Sequence, residues 1–381
     1  MTDFTAVRDL IQEVQRQHRS LPEMMKGAKV PYYRRGEMSI PAFKMKPGGD
    51  PETDGRATSL KLMGKAASLP IDFFFYDLED ASPDNPDLKP LARAFVIEAF
   101  NTLDYGKRIR AFRPNNIRTA YFEEDVIEVV GAIGDKLDAI VLPKTETADE
   151  VRDVQRVLRE IQKACGRDNR IVIEVLIESP RAFCQAEGIA AVEDVSALIF
   201  GAWDFARTIG GRVEADTWLQ DQGAARQLLP IIAAAYGKDA VDAVTATLPI
   251  RPKDPSDEQA IARHKRAIDF ARRDAEEARR IGFAAKWILH PDQIEPIQGA
   301  WTPSREVALE ALQLTATYTR AAEAGSGAEV HGEQLADKAV VGTEWWVVLA
   351  GLQADILTEE DVAATGYSLE TLERTVRTTD A

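Results

Sequence analysis

Short runs of branched and aromatic residues recur along most of the chain, each followed by a longer segment with helical spacing. The runs are Met38–Phe43, Phe73–Asp80, Arg108–Asn115, Ala139–Lys144, Ile171–Ser179, Ala197–Asp204, Ala240–Ala246 and Ala285–Pro291. Several of them, such as FFFYDLED, AIVLPK, IVIEVLIES and ALIFGAWD, begin as unbroken apolar stretches and end on charged or polar residues. Unbroken apolarity means burial on both faces, the mark of parallel strands covered by helices. Between the runs, Thr147–Ala164 places Val151, Val154, Val157, Leu158 and Ile161 on one stripe, which predicts an amphipathic helix. This alternation of strand and helix predicts an α/β fold, a (β/α)8 TIM barrel rather than an open doubly wound sheet.

Such a barrel takes roughly 250 residues, and the pattern continues beyond it. We read residues 1–300 as the barrel domain, with residues 1–33 as a helical lead-in. Residues 301–381 form a C-terminal helical extension. Thr302 is the expected N-cap of its first helix, with Pro303 at the first helical position and Gly325-Ser326-Gly327 as the stop. A second helix is expected near Glu333–Leu352, carrying Trp345 and Trp346. The glycine-rich stretch Lys46–Ser59 lacks the GK[ST] ending of a phosphate loop and reads as a mobile loop. No GxGxxG fingerprint follows the first strand.

Charge narrows the partners. Lys and Arg number 47 against 62 Asp and Glu, a net charge of −15, which excludes an extended nucleic-acid track or an anionic-membrane surface. No stretch reaches the ~18 apolar residues that span a bilayer. The cysteines, Cys165 and Cys184, form no CxxC pair, and the histidines, His18, His264, His290 and His331, are too far apart for a zinc spacing. Buried or inert thiols in a reducing cytoplasm are the expectation.

In a barrel of this kind the chemistry sits where strands end. The polar clusters there are DLED (Asp77 to Asp80), RPNN (Arg113 to Asn116), Pro143-Lys144, Glu178-Ser179, GAWD (Gly201 to Asp204) and His290-Pro291. Glu178 and Asp204 close successive strands about 4.8 Å apart, so their carboxylates can converge. Two hard oxygen ligands with room for water suit Mg²⁺ or Mn²⁺, and the same two acids could instead pair with Arg113 or Lys144. The planar fork of Arg113 suits a carboxylate, or a carbonyl gaining charge as a C–C bond breaks. It would equally pair with Glu79 or Asp80.

The ordered series RRGEMSIPA, DLEDA, FRPN, VLPK, IES, FGAWDFA and KWILHPDQI resembles the citrate lyase β-subunit-like family of CoA-ester lyases, within the HpcH/HpaI aldolase superfamily, from about Arg34 to Asp337. That resemblance implies a carbon-carbon lyase such as a malyl-CoA, methylmalyl-CoA or citramalyl-CoA lyase, which cleaves or forms a 3-hydroxyacyl-CoA to or from an oxo-acid and an acyl-CoA. It implies Glu178 and Asp204 as Mg²⁺ ligands, Arg113 as the substrate arginine, and Glu79 and Asp80 as acids that orient it. The backbone around Ala202, Trp203 and Asp204 would hold the substrate carboxylate. Arg35 and Lys144 resemble positions that face the CoA phosphates or the mouth, so that these cations, with the metal, make a positive mouth in an acidic surface. The stretch GSGAEVHGEQLAD places Asp337 where relatives carry an aspartate that closes over a neighbouring subunit, which implies a homo-oligomer, trimeric or hexameric. Where relatives read DGPF, this chain reads TATLPIRPKD (Thr245 to Asp254). An aldolase acting on free 2-oxo acids and a malyl-CoA thioester hydrolase are the alternatives.

Overall fold

The computed structural model describes Gln12 and residues 33–213 and 223–377; apart from Gln12 and Tyr33, the expected lead-in over residues 1–33 lies outside them. The chain divides into two compact units at Ala300/Trp301.

The first unit holds eight strands: β1 (Gly36–Pro41), β2 (Phe73–Asp77), β3 (Ile109–Arg113), β4 (Ala139–Leu142), β5 (Val172–Ile177), β6 (Val195–Phe200), β7 (Asp239–Asp242) and β8 (Ala285–Ile288). They close into a barrel in chain order, and every pairing is parallel, β1 to β8 included. Each of the eight expected runs overlaps one strand. Their polar tails belong to the loops: Phe73–Asp80, for example, stops pairing at Asp77.

Alternation along the strands decides what faces inward. Phe73, Phe75, Ile109, Ala111, Val141, Leu176, Ile199 and Trp287 fill the interior. Phe74 and Tyr76 point outward, where they pack on Phe100 and Tyr105, and the two tyrosine hydroxyls share a 2.8 Å hydrogen bond. The helices used below are α1 (Arg56–Ala67), α2 (Lys89–Thr102), α3 (Ala148–Ala164), α4 (Ala202–Thr208), α5 (Gly223–Ala235) and α6 (Glu258–Arg280). In α3, Thr147 is the N-cap, accepting from the Glu150 N–H, and the expected stripe is buried except Val157 and Ile161.

One loop expectation fails. Lys46–Ser59 is helical from Pro51 onward, as a wide turn over Pro51–Gly55 that runs into α1. Asp50 caps it by accepting from the Thr53 N–H at 2.8 Å, and Pro51 occupies the first helical position, the residue types that start a helix. Both cysteines are exposed, free thiols. Among the described residues, no helix is long and apolar enough to cross a membrane.

The second unit begins with α7 (Arg305–Glu323). Its N-cap is Ser304, which accepts from the Val307 N–H at 3.2 Å, so the helix starts two residues beyond the expected Thr302 cap. Strands β9 (Ala328–His331) and β10 (Gln334–Asp337) follow as an antiparallel hairpin, turning at Gly332 with φ +60°. The helix expected near Glu333 therefore begins later, as α8 (Lys338–Gln353), with Asp337 as its N-cap. Trp345 is buried with Ala308, Leu312 and Val348, whereas its neighbour Trp346 is 72% exposed.

Candidate active site

β2 and β3 pair with Asp77 opposite Arg113. Both continue the inward-facing sets Phe73, Phe75 and Ile109, Ala111, so a carboxylate and a guanidinium emerge side by side at the C-terminal mouth. Arg113 donates from Nε to Asp77 Oδ1 at 2.8 Å and from Nη2 to Oδ2 at 2.5 Å, the two-pronged geometry that fixes a guanidinium plane. Its remaining edge, Nη1, lies 3.3 Å from Glu79 Oε2 and 3.8 Å from Asp80 Oδ2. The arginine's main partner is therefore Asp77, two positions before the first of the acids that the sequence singled out. Asp77 also accepts from the N–H groups of Glu79 and Ala81, at 2.9 and 3.1 Å, and so folds its own loop. Burial works against the Arg113 charge, but Asp77, Glu79 and Asp80 outweigh it and raise its pKa.

Lys144 follows β4 with φ +49°, a left-handed backbone uncommon in a residue with a side chain. This turn aims its backbone N–H at Glu178 Oε1 and its ammonium at Glu79 and, at 3.1 Å, Asp80. Asp80 is thereby held below the usual carboxylate range: burial opposes its charge, and Arg113 with Lys144 outweighs burial. Glu79 is pushed up by burial despite the same two cations.

Glu178 continues the inward side of β5 and is buried. A Cβ on Gly201, at the end of β6, would lie 2.3 Å from the Glu178 Cβ, so glycine is what lets the two strand ends approach there. Burial pushes the Glu178 carboxyl up to about 7, the charges of Glu79 and Asp204 add to this, and Lys144 opposes it. Asp204 stands in the first turn of α4 with Ala202, which is buried, and Trp203, which is 40% exposed. Its Oδ1 is 2.5 Å from Arg207 Nη2.

The mouth thus gathers Asp77, Glu79, Asp80, Glu178 and Asp204 around Arg113 and Lys144. Before any metal binds, carboxylates outnumber cations at the mouth. Arg35 does not contribute there. It precedes β1, at the N-terminal end of the barrel, and its guanidinium grips Asp72 with two 2.7 Å bonds. The carboxylate surplus, and a Glu178 carboxyl that burial pushes up, fit a divalent cation. Among the described residues no three His, Cys, Asp or Glu side chains converge as a ready cage. Glu178 and Asp204 are two carboxylates there that could hold such an ion, with the remaining positions taken by water and substrate, as magnesium sites commonly have. A cavity of about 940 Å³, lined by Phe43, Lys44, Glu79, Asp80, Asn115 and Lys144 among others, opens beside this cluster.

Asp337 belongs to the second unit, where its carboxylate accepts from the Val340 N–H at 2.8 Å. Sequence reasoning missed Asp77 as the arginine's anchor and Gly201 as the spacer. Counting alternate positions from Phe73 would have found the first.

A family model described as HpcH/HpaI aldolase/citrate lyase matches residues 56–251. The L-malyl-CoA/beta-methylmalyl-CoA lyase of Cereibacter sphaeroides is 31% identical over 292 residues, covering 74% of this chain and 87% of the relative. The (3S)-malyl-CoA thioesterase of the same species is 28% identical, covering 71% and 83%. The crystal structure of CitE from Mycobacterium tuberculosis in complex with magnesium and pyruvate is 25% identical, covers 72% of this chain and 93% of its own, and superposes with a TM-score of 0.51. A parallel barrel whose mouth follows the same ordered motifs, matched over half its length by that family model, places this chain in the HpcH/HpaI aldolase/citrate lyase family.

Proposed function

We propose that the protein is a magnesium-dependent carbon-carbon lyase that cleaves, or in reverse forms, a 3-hydroxyacyl-CoA of the malyl-CoA or citramalyl-CoA type, giving an oxo-acid and an acyl-CoA. The observation that carries this reading is the Arg113 fork, locked by Asp77 beside a carboxylate-rich mouth. The lyase relative, similar over 87% of its own length, supports the substrate class, and the neighbour crystallised with magnesium and pyruvate supports the metal.

Glu178 and Asp204 would hold Mg²⁺, for which Mn²⁺ could substitute. Bound there, the ion supplies Lewis-acid polarisation of the substrate's hydroxyl and carboxylate oxygens. The residues supply the rest. The first N–H groups of α4, over Ala202 to Asp204, orient the oxo-acid carboxylate. As the substrate hydroxyl gives up its proton to solvent water at the open mouth, the bond to the neighbouring carbon breaks, and its electron pair moves into the thioester as an enolate. Arg113, kept charged and fixed in plane by Asp77, hydrogen-bonds the oxygen that gains that charge. Glu79, itself held by Lys144, steadies the arginine's remaining edge. Asp337, from the second unit of a neighbouring protomer in a trimer or hexamer, exchanges the proton at the thioester α-carbon. The cavity beside Lys44 accommodates the CoA portion. The exposed thiols fit a reducing cytoplasm.

The test is a condensation panel of glyoxylate, pyruvate and oxaloacetate against acetyl-CoA and propionyl-CoA, with and without Mg²⁺, read by mass spectrometry. A metal-dependent 3-hydroxyacyl-CoA product is expected. Turnover of free oxo-acids without CoA would select the aldolase alternative. Release of CoA from malyl-CoA without glyoxylate would select the hydrolase, the activity named for the more distant relative.

A further inference from the structure

We infer that Lys89 is a positioning residue for this site, tying the loop that carries Glu79 and Asp80 to the loop that follows Arg113. Lys89 is the first residue of α2 and is 2% exposed. Its ammonium donates to the Leu78 carbonyl and, at 2.8 Å, to Asn115 Oδ1, and it lies 5.4 Å from the Tyr121 ring centre. Leu78 immediately precedes Glu79, and Asn115 stands two residues beyond Arg113. The Leu78 N–H donates to the Arg113 carbonyl at 2.9 Å, so one ammonium closes a ring of contacts around the arginine's backbone.

The far side of the ring is anchored as firmly. Asn115 donates its backbone N–H and its amide to Asp125 Oδ2, at 2.8 and 2.6 Å. Asp125 is fully buried, and Arg93 holds its other oxygen at 3.2 Å. A buried ammonium whose direct partners are a carbonyl and an amide is expensive to retain for packing alone. Its direct partners instead lie on both loops that shape the mouth. The charged and titratable groups around it are Asp84, Asp77 and Glu79 before its helix and Arg93 one turn along that helix, with Asp125 and Tyr121 across the joint.

This assignment rests on the lyase reading, and its test separates the two. In the lyase assay, K89M is expected to lower kcat about 10- to 100-fold, as loss of a supporting partner typically does, with KM for the thioester within about two-fold. N115A should lower kcat as well, and the double variant should be no slower than the slower single one, because one tether can be cut only once. K89R, which keeps a charged donor, should recover most of the rate and flatten the alkaline fall in kcat expected as the buried lysine, held below its ordinary range by desolvation, loses its proton. Effects of K89M and N115A that multiply, a K89M kcat within two-fold of wild type, or a raised KM with kcat unchanged would each overturn the assignment, the last by making Lys89 a ligand contact. If the wild type turns over no thioester, the lyase reading fails and the tether is read by hydrogen exchange. Faster exchange in K89M confined to Glu79–Ser82 and Asn115–Tyr121 upholds it, and unchanged exchange there overturns it.

Discussion

Behind β7 and β8, on the outer face of the barrel, Arg226 and Lys286 meet Asp242 and Asp274. Lys286 Nζ lies 2.6 Å from Asp242 and 2.9 Å from Asp274, and Arg226 lies 2.6 and 3.0 Å from the same two acids. Each cation is matched by an anion, all are sealed from solvent, and Asp242 is held below its ordinary range: burial raises it, and Lys286 and Arg226 outweigh burial. At the mouth, carboxylates outnumber cations, a cavity gives access, and Glu178 is pushed up to about 7. A third cluster shows that surplus alone is not a site. At the barrel's N-terminal end Arg34 meets Glu37, Glu174 and Asp239, yet Arg34 and both glutamates are buried, and burial with mutual repulsion raises Glu37 well above the carboxylate range. Surplus carboxylate combined with access distinguishes a place built for an incoming cation.

The sharpest way to break the comparison is to neutralise each region. E178Q or D204N should lower metal-dependent turnover by about a thousand-fold or more, several kcal/mol of barrier, without lowering the melting temperature. Full activity in both would remove the mouth from the account. K286M should do the reverse: stripping one cation from a sealed, balanced network leaves two buried acids sharing Arg226 alone, an uncompensated buried charge that costs about 3–5 kcal/mol of stability. Urea unfolding checks this, and the folded fraction should keep its kcat. A K286M protein as stable as wild type but inactive would reverse the roles of the two regions.

The pH dependence sharpens the contrast further. An acid whose folded value lies above its unfolded one binds more protons when folded, so its contribution is whole below about 4.5 and fades as pH climbs to about 7. Without metal at pH 8, E178Q escapes that penalty and should be more stable than wild type by up to about 3 kcal/mol. Urea midpoints in a chelator measure it, and a lower midpoint for E178Q would contradict the assigned shift. The smallest effect is expected at Arg207, whose side chain is 74% exposed beside Asp204. R207A should change stability by no more than about 0.5 kcal/mol while leaving Mg²⁺ affinity equal or slightly tighter, as calorimetric titration would show.

Much of this was legible in the sequence because burial on both faces leaves unbroken apolar runs, and those runs marked every barrel strand. Polar residues at strand ends were legible as a group. Their individual partners were less so. Asp77 was overlooked because the acids after it look equally placed until alternation along β2 is followed inward. Arg35 stood among the site candidates by motif, yet a residue that precedes a strand lies at the opposite end from one that follows it. The hairpin of β9 and β10 escaped because its strands, AEVH and QLAD, are too short to show a period. The charge clusters escaped for another reason. Arg34 meets Glu174 and Asp239 across 140 and 205 positions of sequence, separations that no local pattern encodes.

The most direct test of the central claim is product analysis of malyl-CoA turnover by wild type and E178Q, each with Mg²⁺ and with a chelator, by mass spectrometry. The account predicts that glyoxylate and acetyl-CoA appear in equal amounts only in wild type with metal. Equal turnover by E178Q, or turnover undiminished by the chelator, would contradict it.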